Sequence, residues 1–423
     1  MTEKTNVPKI RFAGFTDPWE QRKLGDAGTT YGGLSGKTKE DFGHGEAQFV
    51  PYTNVFDNPV TDTKRLESVE IDPSQNKVKY GDVFFTVSSE TPDEVGMSSV
   101  WLSDQEDVYL NSFCFGYRQD STFDPHYLAY MLRSSSVRSD LTLLAQGISR
   151  FNISKNKVME LSVPVPSAVE QKRIGQYFAS LDHLITLHQR KYDKLAQLKK
   201  SMLDKLFPKP GERFPEIRFA GFTDPWEQRK LGEIARRVTR KNDGNESDLP
   251  LTISAQYGLV DQRTFFNNQV ASKDMSGYYL LKKGEFAYNK STSADSPWGA
   301  IKRLLNYDKG CVSTLYICFD LIDADPDFLV TYYETNRWYK SVQLIAAEGA
   351  RNHGLLNIAP NDFFDTVLSI PGQQQEQKLI GNYFSNLDKL ITLHQREPQF
   401  TDMGYMRVER ALMTMSMSVF SSS

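Results

Sequence analysis

Hydrophobic and polar positions follow two rhythms along this chain. Short apolar runs such as QFVPYTNV (48–55), DVFFTVS (82–88) and SVWL (99–102) are separated by Gly, Pro, Asn and Asp. That grammar predicts strands joined by turns. HYLAYML continuing into VRSDLTLLA has helical spacing and predicts a helix from Pro125 to about Ala145. MELSVPVP (159–166) reads as a last strand, stopped by prolines that cannot donate to a ladder. From Ala168 the period changes. Ile174, Phe178, Leu181, Ile185, His188, Tyr192, Leu195, Met202 and Leu206 step by threes and fours, with Lys199 the weak position of the stripe. This predicts a helix of about 38 residues, roughly 57 Å long, ending at FPKPGERFP. Such a helix, apolar along one stripe, needs a partner helix.

The pattern then starts again. Residues 8–25, PKIRFAGFTDPWEQRKLG, return at 215–232 with Glu216 in place of Lys9. EQKRIGQYFASLDHLITLHQR (170–190) returns as EQKLIGNYFSNLDKLITLHQR (376–396). The offsets are 207 and 206 residues, too long for a solenoid repeat and suited to a duplicated domain. The inserts between the repeated blocks, 26–169 and 233–375, share only scattered matches. LTISAQYGLV (251–260), GEFAYNK (284–290) and CVSTLYICF (311–319) read as strands of the second insert, and ADPDFLVTYYET (324–335) starts a helix in register with FDPHYLAYML (123–132). Ile380, Phe384, Leu387 and Ile391 repeat the stripe and are expected to pair with Ile174, Phe178, Leu181, Ile185, His188, Tyr192 and Leu195. After Arg396 the repeat stops: KYDKLAQLKKSMLDKLFPK has no counterpart, Pro398 interrupts the helical pattern, and residues 398–423 are expected to be poorly ordered.

At 423 residues, 39% hydrophobic and 24% charged, the chain has the composition of a globular protein of two or three domains. No apolar run reaches the length of a membrane span, and MTEKTNVPKI lacks a signal core, which predicts a cytoplasmic protein without membrane contact. Cys114, Cys311 and Cys318 form no CxxC pair and read as buried apolar residues. The net charge of −3 argues against a chain that holds nucleic acid by bulk electrostatics. Residues 27–165 hold 12 basic and 19 acidic residues, residues 234–372 hold 15 and 16, and residues 170–209 hold 9 and 4. Phosphate contacts by the inserts therefore require local clusters or partner subunits.

Catalytic motifs are incomplete. Gly32–Thr38 is one residue short of a P-loop and has Tyr31 where the first glycine belongs. It reads as a polar loop in which Lys37 and backbone amides are phosphate candidates. His183 and His188 lie five apart, the wrong spacing for two ligands on one helical face, and His394 repeats His188. Asn58-Pro59-Val60-Thr61 lacks the second proline and the aromatic of an amino-methyltransferase loop. No metal site is predicted. Polar clusters inside the inserts carry more information. Ser88, Ser89, Ser149, Arg150 and Asn152 occupy places in the first insert that correspond to Lys290-Ser291-Thr292 and Arg351-Asn352-His353 in the second, where Arg236, Arg237, Arg240 and Lys241 add a basic run. Arg, Asn and Ser are suited to reading base edges; solvated loops use the same residues.

The twin arms, the repeated helix blocks and the unlike inserts resemble the specificity subunit of type I restriction–modification systems over residues 8–396. The resemblance implies an α+β chain: two structurally similar mixed α/β target-recognition domains joined by long antiparallel coiled-coil helices in a pseudo-twofold repeat. Its parts would be an arm and first recognition domain (1–169), a spacer helix (170–208), a second arm and domain (209–375) and a shortened second helix (376–397). It also implies that each insert reads half of a bipartite site in double-stranded DNA. Two modification subunits using S-adenosylmethionine, and restriction subunits using ATP and Mg, would supply the chemistry, so that this chain is non-catalytic and binds no cofactor. The shortened second helix is expected to weaken pairing and docking. A methyltransferase in its own right, or a helical scaffold with two domains that do not bind DNA, remain the competing readings.

Overall fold

The computed structural model describes residue 8 and residues 10–254, 257–266, 272, 274–293, 296–346 and 354–396. The tail expectation for 398–423 and the placement of Arg351, Asn352 and His353 lie outside these residues. The chain folds as two compact units whose boundary in sequence falls between Gln189 and Arg190, inside the long helix Ala168–Lys205. Among the described residues no helix is long and apolar enough to cross a membrane.

The first unit is built on a four-stranded antiparallel sheet in the order Gly28–Gly32, Cys114–Gln119, Val83–Thr86, Ser98–Val100. Val83–Thr86 is buried along its whole length, which explains why its sequence is a continuous apolar run rather than an alternating one. Phe85 and Phe115 face each other in register and stack at 5.1 Å. A three-stranded sheet, Glu67–Val69, Phe42–Val50, Val108–Leu110, lies beside it in sequence and contains one parallel pair. The predicted helix 125–145 is two helices, Pro125–Met131 and Ser135–Leu143. The run Ser134-Ser135-Ser136 separates them, and serine favours helix starts over helix interiors.

The second unit repeats the plan. Ala235–Val238, Ile317–Leu321, Phe286–Asn289 and Ala300–Arg303 form an antiparallel sheet of the same order. Phe286 and Phe319 stack at 5.1 Å in the places of Phe85 and Phe115. Each arm closes its own insert: Glu20–Lys23 pairs with Ser162–Val165, and Glu227–Lys230 pairs with Val367–Ile370.

The repeated block EQ…G.YF has one physical reading in both units. Glu170 receives Nε and Nη2 of Arg11 at 2.6 and 2.8 Å; Glu376 receives those of Arg218 at 2.7 and 2.8 Å. Gln171 Oε1 accepts from the backbone N of Asp124 at 2.8 Å, and Gln377 Oε1 from that of Asp325 at 2.9 Å. Those two aspartates cap the helices Pro125–Met131 and Pro326–Glu334. Gly175 and Gly381 let the helices touch: an added Cβ would lie 2.6 Å from the backbone N of Tyr127 or of Phe328. Tyr177 and Tyr383 meet Phe12 and Phe219 edge-on. Phe178 packs against the first core, and Phe384 is buried in the second. The arms are thus docked on the starts of the long helices by a buried carboxylate.

Candidate nucleic-acid interface

In the first insert a tight loop paired to a short strand brings five of the proposed contact residues together. Phe151–Asn152 pairs with Ser88–Ser89, and Gln146 and Asn152 exchange backbone hydrogen bonds of 2.9 Å. Gly147 has φ +145°, and a Cβ there would lie 2.0 Å from the carbonyl of Arg150, so the tight loop requires glycine. Arg150 Nη2 donates to Ser88 Oγ at 3.2 Å. Ser88 and Ser89 are buried, Ser89 donating to Glu94, while Ser149, Arg150 and Asn152 are exposed. Ile148, 97% exposed, stands at the loop with them, a residue that neither charge nor apolar spacing marks.

Lys37 is tied elsewhere. Its Nζ pairs with Asp72 at 2.9 Å, and that hydrogen bond raises its pKa. Gly33 lies close against Asn111, and Leu34 N donates to the carbonyl of Leu110, so the polar loop is fastened to the neighbouring sheet.

The second insert holds Lys290, Ser291 and Thr292 in the matching place. Ser291 bridges Leu355, and Thr292 donates to the carbonyl of Gly354 through N (2.7 Å) and Oγ1 (3.0 Å). Lys290 Nζ donates to the carbonyl of Ile358, and burial lowers its pKa. The basic run divides. On Ala235–Val238 the two ends are buried, while Arg236 and Arg237 are exposed, Arg236 pairing with Asp320 at 2.8 Å. Arg240 instead forks onto the buried Glu285 at 2.9 and 3.2 Å, and Lys241 donates to the carbonyl of Gly277 and lies over Tyr279. Arg240→Ala is therefore expected to act through folding. With the guanidinium about one third exposed, the loss should be about 1–2 kcal/mol, measured by denaturant titration.

The stripe residues face two environments. Ile174 and Phe178 pack against the core of the first unit, Leu181, His188 and Tyr192 are half-buried, and Ile185 is 37% exposed. In the second unit Leu195 packs against the core that contains Ile380, Phe384 and Leu387, and Ile391 is half-buried. Lys199, the polar step of the stripe, bridges Asp388 at 2.5 Å and Glu334 at 2.7 Å.

Chemistry-bearing groups are otherwise sparse. Among the described residues no group of three or more His, Cys, Asp or Glu is placed to hold a metal. The three cysteines are free and buried, and burial pushes Cys114 and Cys318 up to about 12.

A family described as the type I restriction modification DNA specificity domain matches residues 16–197. The MjaX specificity subunit of a type I restriction enzyme, assigned in Methanocaldococcus jannaschii, is 24% identical over 244 residues, which is 54% of this chain and 56% of that one. The StySPI specificity subunit of Salmonella potsdam is 23% identical over 186 residues, 43% of this chain and 40% of that one. The chain thus spans about half the length of the curated relatives it matches. The fold is similar to that of the S subunit of a type I restriction–modification system from M. genitalium, with a TM-score of 0.53, 13% identity and coverage of 92% of this chain and 94% of that one. Residues 16–197 thus match the type I restriction modification DNA specificity domain, and the whole chain shares the fold of an S subunit.

Proposed function

We propose that this chain is the non-catalytic subunit that chooses the DNA sequence for a type I restriction–modification complex. Each domain (residues 1–169 and 209–375) reads one half of a bipartite site, and the long helices fix the gap between the halves. Methyltransferase subunits holding S-adenosylmethionine modify an adenine in each half, and translocase–nuclease subunits use ATP and Mg. The observation that carries the reading is that one frame presents two unlike edges in the same place: Ser88–Ser89 with the Gly147–Arg150 loop in one domain, Lys290–Thr292 in the other. Bidentate and hydroxyl donors at such an edge discriminate bases by about 1–3 kcal/mol per good contact. Arg150, Ser149 and Asn152 are the base-reading candidates of the first domain. Ser88 and Ser89 support the loop from beneath, and Lys37 is a phosphate contact beside Asp72. In the second domain Lys290, Ser291, Thr292, Arg351, Asn352 and His353 take the reading role. Arg236 and Arg237 are phosphate contacts there, with Arg240 and Lys241 behind them. A net charge of −3 leaves much of the phosphate contact to the partners.

Mapping methylated adenines in cells that express this chain with its methyltransferase subunit tests the reading. A two-part motif with a fixed gap is expected, and replacing residues 26–169 by another insert should change one half alone. Loss of both halves would refute the division of labour. Arg150→Ala should relax discrimination at one position of that half at a cost of about 1–3 kcal/mol.

A further inference from the structure

Ile148 serves nothing in the packing of its own domain. At 97% it is the most exposed large hydrophobic side chain among the described residues, yet the loop that carries it is tightly built. Gln146 and Asn152 close that loop with two backbone hydrogen bonds of 2.9 Å, and Ile153, just after it, is buried in the core of the first unit. Arg150 Nη2 donates to the buried Ser88 on the neighbouring strand. The isoleucine is therefore held out by a fixed support and does not project from a frayed end. Its chain neighbours, Gly147 and Ser149, are small and exposed, so they leave room on both sides. Single exposed apolar residues are ordinary on protein surfaces. What sets this one apart is its place, in a loop whose other exposed side chains, Ser149, Arg150 and Asn152, are the base-reading candidates.

Two surfaces of a duplex could receive such a side chain. A groove presents hydrogen-bond donors and acceptors, with the thymine methyl as its apolar exception. The space between successive base pairs presents two flat apolar faces, and isoleucine is among the side chains that enter it as wedges, partly unstacking the step. Burial of a whole aliphatic side chain is available only in the second. Branching at Cβ also limits the rotamers of isoleucine, so fixing it there sacrifices little side-chain freedom. We propose that Ile148 is a wedge that opens one base step in the half-site of the first domain, while Arg150, two residues on, holds a neighbouring base edge. This rests on the reading of the chain as a DNA-specificity subunit. Its consequence is that the half-site is selected in part by how readily one step opens, and pyrimidine–purine steps open most readily. The first domain then discriminates sequence at a step where it makes no hydrogen bond.

The test uses the full chain with its methyltransferase subunits and a duplex carrying the two-part motif given by the methylation map. 2-Aminopurine, which brightens when it is unstacked, replaces one purine of the first half at a time, the methylated adenine being left in place. Ile148→Ala is expected to bind the duplex tenfold or more weakly, and Ile148→Leu within about threefold of the native chain. At saturating complex, one position of the first half should be brighter with the native chain and Ile148→Leu than with Ile148→Ala. Because the side chain is 97% exposed, these variants keep the fold. Undiminished binding by Ile148→Ala would overturn the proposal. So would weaker binding with brightening equal to the native chain's at every position, which would give Ile148 to a groove wall or a partner subunit. Failure of the native complex to bind any two-part duplex would instead remove the specificity reading, and the wedge with it.

Discussion

Phe207→Ala is expected to destabilise the second domain by about 3–5 kcal/mol. The ring is 1% exposed and packs among Trp226, Phe328, Tyr332 and Phe384. Four aromatic neighbours cannot collapse into the space it leaves, so the cavity cost adds to the lost transfer energy. The backbone is held as well, with Arg337 Nη2 donating to the carbonyls of Asp204 at 3.0 Å and Phe207 at 3.4 Å. The gap should therefore persist. Urea unfolding should show an early transition for the second domain, with the first domain's transition unmoved. Phe207→Leu should fall between the two. An unchanged midpoint for the alanine variant would mean that the end of the long helix is not part of that core.

The second large effect is expected at the arm. Arg218 and Glu376 form a two-pronged ion pair whose side chains are 15% and 1% exposed. Arg218→Met removes the cation and leaves the carboxylate buried, a change that costs about 3–5 kcal/mol. Replacing both residues by methionine should restore most of that loss, because the uncompensated charge disappears with its partner. The same substitution at Arg11 should be milder, since Trp19 Nε1 still donates to Glu170. A double variant no more stable than Arg218→Met alone would show that the pair is not what docks the arm.

Much of this architecture was legible in the residues. The periods of 2 and 3.6, the twin blocks and the Asp-Pro helix starts at 124–125 and 325–326 specify two like domains and a helix of about 38 residues, and the helix Ala168–Lys205 has 38. The break at Leu132–Ser134 escapes apolar spacing, because serine's preference for helix starts competes with that spacing and leaves no gap in the stripe. The roles within EQ…G.YF are hidden for a different reason. Glu170 pairs with an arginine 159 positions away and Gln171 with a backbone amide 47 away, and spacing along one helix says nothing about either. The stripe positions are visible, but not that Ile174 and Phe178 face their own domain's core. Closeness in sequence groups the basic residues of the second insert into one run. The structure sorts them by depth, giving Arg240 to Glu285 and leaving Arg236 and Arg237 at the surface.

The grip of the frame on its inserts has an evolutionary corollary. Gln171 and Gln377 hold the main-chain amides of Asp124 and Asp325, and Gly175 and Gly381 rest against those of Tyr127 and Phe328. A joint that recognises peptide groups is nearly blind to the identity of the side chains. Any cassette with an Asp-Pro helix start followed two residues on by an aromatic, as Tyr127 and Phe328 are, can plug into the same socket. Recombination between the near-identical flanking blocks would then shuffle inserts as whole cartridges, and drift inside a cartridge would leave the coupling intact.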